Sequence, residues 1–106
     1  MPRTAKRLLQ TALSGTAATV YTAPASTTAQ VTEIYLANTG TTARTVTLYV
    51  NGTANSNIIV NGLLVNGSSS VILQDTKIVI PTGTVFSAKQ DTGTDITMTA
   101  FGVEEV

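Results

Sequence analysis

Cysteine, histidine and tryptophan are all absent from this chain of 106 residues. Without cysteine there is no disulfide framework, no thiolate nucleophile and no thiolate metal ligand. Without histidine as well, most routes to zinc binding and to proton transfer near neutral pH are lost. A Ser-His-Asp triad is excluded, and neither G-x-S-x-G nor S-x-x-K occurs. Charge is scarce too: 11% of residues are charged, against a usual ~25%. Six basic and six acidic residues cancel, so no net positive field is available to hold a phosphate backbone, and nucleic acid is not an expected partner. The apolar runs are only a few residues long, so no membrane-spanning helix can be drawn and no membrane partner is expected. Residues 1–7 carry charge like the start of a secretory leader, but Leu8-Leu9 gives way at once to Gln10 and Thr11. A leader needs about 7–15 apolar residues there, so none is expected, and the chain is expected to be made in a host cytoplasm.

What remains is rich in threonine, about a fifth of the chain, with 42% hydrophobic residues. That apolar content is enough for one core and one domain, and it argues against a disordered chain. β-Branched residues suit a pleated, half-buried surface better than a helix. Between Arg44 and Val50 the alternation is clear: Val46, Leu48 and Val50 are predicted to face the core, with Thr45, Thr47 and Tyr49 outward. Residues 96–100 repeat the pattern. Further strands are predicted over 19–23, 30–37, 57–60, 70–73, 77–80 and 85–89, separated by turn words such as Ala23-Pro24-Ala25, Thr39-Gly40-Thr41 and Thr92-Gly93-Thr94. About eight short strands with no helix between them predict an all-β fold, an antiparallel β-sandwich of jelly-roll or immunoglobulin-like kind.

Three Asn-Gly pairs, at 51–52, 61–62 and 66–67, are each hairpin signals. Only Leu63-Leu64-Val65 separates the last two, which is short for a strand, so at least one of that pair is predicted to be a bulge or an open loop. Asn51 and Asn66 also begin N-x-[ST] sequons, read here as turn residues.

The N-terminus is divided from the rest: residues 1–14 are predicted as an arm or short helix and residues 15–106 as a single sandwich domain. Ala5, Leu8, Leu9, Ala12 and Leu13 fit a helical spacing, whereas an extended arm would put Leu9, Thr11 and Leu13 on one face. Arg3, Lys6 and Arg7 stand beside Leu8, Leu9 and Leu13, an apolar set with no obvious place in its own sandwich. These six are the candidate contacts between subunits, with the acidic end Glu104-Glu105 as a complementary surface. The arm is then expected to order only in an assembly, taken as a trimer, because ordering it consumes much or all of what its leucines return.

Chemistry is otherwise thin. The acids are Glu33, Asp75, Asp91, Asp95, Glu104 and Glu105, and no spacing sets two of them across a cleft. Asp91 and Asp95 flank a turn that could fold around calcium, but the EF-hand spacing is missing. No catalytic, cofactor-binding or metal-ligating residue is therefore assigned, no cofactor is expected, and the chain is not read as an enzyme. Five scattered aromatics, Tyr21, Tyr35, Tyr49, Phe86 and Phe101, are read as core or half-buried and not as a stacking platform.

Thr19-Val20-Tyr21-Thr22-Ala23-Pro24-Ala25, the strand ending at Asn38, the alternating run 45–50, Ile80-Pro81-Thr82-Gly83 and Phe101-Gly102-Val103-Glu104 together resemble small β-rich virion proteins of tailed bacteriophages. The resemblance covers most of the chain after Thr16 and leaves the basic N-terminus outside. It implies a β-sandwich carried on a virus particle, most simply as a capsid decoration or cement protein whose partners are copies of itself and the major capsid protein. A neck, collar, tail or fibre component is the alternative within the virion. From another class, a carbohydrate-binding module is the competing reading, since β-sandwiches often carry sugar sites on their loops.

Overall fold

The computed structural model describes residues 2–106, which form eight strands. They are β1 (Arg3–Ala12), β2 (Ala18–Thr22), β3 (Thr28–Asn38), β4 (Arg44–Val50), β5 (Ile58–Val65), β6 (Ser69–Ile80), β7 (Val85–Gln90) and β8 (Ile96–Glu105), with one 3-10 turn at Asn55–Asn57 before β5. Two four-stranded sheets result, in the orders β1-β8-β3-β6 and β2-β7-β4-β5. Every pairing is antiparallel. The chain is nested like one long hairpin, β4 with β5, β3 with β6, β2 with β7 and β1 with β8, wound so that alternate pairs fall in opposite sheets. This is the jelly-roll arrangement, one of the two sandwiches predicted.

Alternation explains which side chains meet between the sheets. Val31, Ile34 and Leu36 of β3, Val46 and Leu48 of β4, Phe86 and Ala88 of β7, and Ile96, Met98 and Ala100 of β8 are buried and form the core. The predicted outward residues Thr47 and Tyr49 are buried as well. β4 lies inside its sheet, with Ser87 and Ile58 beside Tyr49, and Lys89 beside Thr47. Two flanking strands cover its outer face, which a period-2 reading of one strand alone does not anticipate.

Three irregularities shape the edges. The predicted strands 70–73 and 77–80 are halves of one strand, β6. Asp75 and Lys77 adopt positive φ (57° and 53°) and the register against β3 shifts there, so β6 bends and continues instead of stopping. Asn61-Gly62 is the predicted bulge: Gly62 has φ +64° and its N–H donates to Thr47 Oγ1 at 3.3 Å, carrying β5 on to Val65. Asn66-Gly67 then makes the β5–β6 turn, where a Cβ on Gly67 would collide with the Thr41 carbonyl.

The expectation of a separate arm over residues 1–14 is corrected by the described part of that segment, residues 2–14. Residues 3–12 are extended, the second of the two forms considered, and pair with β8 along their whole length. The register slips between Arg7 and Leu9, so Leu8 is the extra residue of a bulge. Leu9 and Leu13 enter the core and Leu8 packs against it. Hydrogen bonds from the Leu13 N–H to the Ile96 carbonyl and from the Gln90 N–H to the Ser14 carbonyl continue this tie. The leucines do have a place in their own sandwich, because β8 offers them an otherwise unpaired edge.

Candidate functional site

The two termini meet where β1 pairs with β8. Lys6 lies across from Gly102 and Thr4 from Glu104, on the side facing the second sheet. Tyr21 of β2, across from Phe86, faces the same space from that second sheet. The Tyr21 hydroxyl donates to Glu104 Oε2 at 2.5 Å and Lys6 Nζ donates to Glu104 Oε1 at 3.2 Å. A polar bridge thus ties the two sheets at one side of the sandwich. The Tyr21 hydrogen bond, with the Lys6 hydrogen bond and charge, holds the Glu104 carboxyl below the ordinary carboxylate range, against a partial burial that acts the other way. Burial, then the bond to Glu104 and its negative charge, push the Tyr21 hydroxyl well above the usual tyrosine value. Arg3 pairs with Glu105 at 3.5 Å, both well exposed. Arg7 donates to Gln10 Oε1 at 3.2 Å beside Phe101. The basic start and acidic end expected to pair between subunits therefore pair within one chain.

Asp91 and Asp95 are not aimed at a common point. The Asp91 carboxylate accepts the Thr92 N–H at 2.9 Å, while Asp95 Oδ2 accepts Arg44 Nε at 3.0 Å. A cation between them would have to displace the Arg44 guanidinium. Asp75 faces Lys77 at 3.7 Å on open surface. Among the described residues no three acids gather as a metal site would require. Nearby, Gln90 Nε2 donates to the carbonyls of Leu13 and Gly93 at 2.6 and 2.7 Å, joining β7 to the end of the N-terminal segment.

Two apolar surfaces remain. On the outer face of the first sheet, Tyr35 and Phe101 meet edge to face, ring centroids 5.6 Å apart and planes at 90°. Perpendicular rings give no flat platform for a sugar or a base. The second surface is a groove of about 410 Å³ between the edge strands β5 and β6, lined by the apolar Leu48, Ile59, Val60, Ile72, Leu73 and Ile78 and by the polar Gln74 and Thr76. Ile59 and Ile72 are about half exposed there (46% and 48%), and Leu64 and Val79 are as exposed on the same two strands. Residues 45–74 contain no Asp, Glu, Lys or Arg, so β5 and the first half of β6 are uncharged. Sequence reasoning missed this groove, although the signal was present. The triplets 58–60, 63–65, 71–73 and 78–80 are apolar at consecutive positions, which in a strand turns apolar side chains to both faces.

Compared with known proteins, the chain matches no family model, no curated protein and no solved structure.

Proposed function

We propose that this protein is a non-enzymatic structural component of a bacteriophage virion, a decoration or cement protein of the capsid surface. The observation carrying this reading is that three of the sequence words of the resemblance, residues 19–25, 80–83 and 101–104, are tied together at one end of the sandwich. Tyr21 of the first word bonds Glu104 of the last. The Ala23 N–H donates to the Thr84 carbonyl and the Gly83 N–H to the Ala23 carbonyl, so the turn at Pro24 and the Ile80-Pro81-Thr82-Gly83 turn are laced together. Thr82 Oγ1 adds a bond to the Thr27 carbonyl at 2.6 Å. Gly102 lies so close to the Gln30 carbonyl that no side chain fits. Residues that serve one framework jointly are a stronger basis for likeness than strand and turn words scattered at random. The jelly-roll winding adds a fold-level analogy, since viral capsid domains use it, as do lectins. The protein would act by burying surface against the shell and neighbouring copies, and so stabilise the particle by mass action.

Mass spectrometry of purified particles should find the protein in hundreds of copies, with matching density on the head in electron microscopy. A dozen copies or fewer would place it in the neck, collar, tail or a fibre, and its absence from the particle refutes the virion reading. For the carbohydrate-binding alternative, Phe101 is the exposed aromatic that would have to carry a sugar. A glycan array without signal above background removes that alternative.

A further inference from the structure

We infer that Asn51 is a site of spontaneous deamidation, selected by the fold from three chemically equivalent candidates. The chain holds the word Val-Asn-Gly three times, at 50–52, 60–62 and 65–67, and none of these asparagines has a part in the proposed function. In such a word the glycine nitrogen attacks the side-chain carbonyl carbon of the asparagine. A new nitrogen–carbon bond closes a cyclic succinimide, the bond to the side-chain nitrogen breaks, and ammonia leaves with the proton of the glycine N–H. Water then opens the ring at either carbonyl and leaves aspartate or isoaspartate, so a neutral residue becomes a carboxylate. Glycine favours the attack because no Cβ crowds its nitrogen. Since the flanking residues are the same three times, the fold sets any difference in rate.

All three asparagines are exposed, so water reaches each of them and the backbone decides. Attack needs a glycine nitrogen that is free and a peptide group that can turn toward the side chain. At Asn61 the nitrogen is engaged. The Gly62 N–H donates to Thr47 Oγ1 at 3.3 Å, and β5 pairs with β4 on either side, at Val60 and at Leu63. At Asn66 the chain is pinned. Gly67 lies so close to the Thr41 carbonyl that no Cβ fits, and the Ser68 N–H donates to the Gly40 carbonyl at 2.7 Å. Asn51-Gly52 lies outside the strands, between β4 and the 3-10 turn. The Gly52 N–H has no acceptor among the described residues, and its peptide group is tied by Asn57 Nδ2, which donates to the Asn51 carbonyl at 3.1 Å. That tie is an exposed hydrogen bond, and water replaces one of those at small net cost. The new carboxylate enters a stretch, residues 45–74, that has no charged side chain, so aged protein carries one more negative charge than fresh.

The test follows the pure folded protein over weeks in mildly alkaline buffer. Ion exchange reads the added negative charge, and peptide mass spectrometry assigns the site. Asn51 should convert at least tenfold faster than Asn61 or Asn66, counting aspartate and isoaspartate together. In concentrated urea, where the fold is gone, the three should convert at comparable rates. Asn57→Ala removes the tie on the Asn51 carbonyl and should speed Asn51 at least threefold, with Asn61 and Asn66 unchanged. Circular dichroism checks that the variant is folded, and should it lose the native spectrum, Asn57→Ser carries the same comparison. Equal rates at the three sites in the folded protein, or a lead by Asn61 or Asn66, overturn the inference. So does the same inequality in urea, or a folded Asn57 variant whose Asn51 reacts no faster. Failure of the virion reading would appear in the particle analysis and leave these rates untouched.

Discussion

Tyr21→Phe removes one oxygen atom from the bridge between the sheets and leaves the ring packed. The lost bond has an ionised acceptor, a class worth about 1.5–3 kcal/mol. Glu104 keeps Lys6 and its side chain retains 15% exposure, so water and the ammonium recover part of that. The expected cost is about 1–2 kcal/mol, read by urea unfolding at pH 7, with a fall in Tm of about 4–8 °C per kcal/mol for a domain near this size. The pH dependence follows from the two shifts. Glu104 has a lower pKa folded than unfolded, so its contribution is complete above 4.5 and is lost as pH falls through the folded value. Tyr21 is raised from 10.0, so its contribution is complete below that pH and is lost as pH climbs past it. Stability should therefore fall on both sides of a plateau, and Tyr21→Phe should flatten both slopes. A double-mutant cycle with Glu104→Ala should show coupling of about 1 kcal/mol. Coupling below about 0.3 kcal/mol, with unchanged pH slopes, would refute the bridge as a stabilising contact.

Other outcomes follow from burial and close approach. Leu13→Ala should cost about 2–5 kcal/mol in urea unfolding, because Leu13 is 2% exposed in the core, while Arg7→Ala should stay within about 0.5 kcal/mol. Deleting residues 1–14 should lower the urea midpoint sharply or abolish the β spectrum in circular dichroism, since it removes Leu9 and Leu13 and bares the edge of β8; a truncated chain of unchanged stability would restore the picture of a detachable arm. Gly102→Ala should cost about 1–3 kcal/mol, as its methyl group meets the Gln30 carbonyl. Gly15→Ala, with ordinary contact distances of 3.5 Å or more, should change the midpoint little.

The fold class was legible because the determinants of single strands are local. Val46, Leu48, Met98 and Ala100 alternate as strand residues should, and all are buried. The Asn-Gly pairs marked real irregularities, and the crowding of two of them pointed to the bulge at Gly62. The halves of β6 were read as two strands because Gln74-Asp75-Thr76 is polar and breaks the apolar pattern. Nothing in the sequence distinguishes a turn there from a bend that keeps its partner, since the partner β3 lies some 45 residues away, as the Thr76 to Val31 bond shows. Leu8-Leu9 seemed homeless for the same reason: the edge that receives them lies at the far end of the chain.

That distance is a property of the winding. In a nested hairpin the inner pair β4–β5 is nearly local, while each pair further out joins residues further apart, up to Arg3 with Glu105. Local rules therefore read the middle of such a chain well and its ends poorly. The same winding turns sequence position into place. The terminal strands β1 and β2 lie at one side of the two sheets, and β6 and β5 lie at the other. Arg3, Lys6 and Arg7 come early and Glu104 and Glu105 late, so both signs of charge arrive at the first side and neutralise there. Residues 45–74, lacking charge, supply all of β5 and half of β6 at the second side. A basic start and an acidic end thus become one ion-paired side of the sandwich, while the charges on the other side are confined to the Asp75–Lys77 pair at the bend of β6.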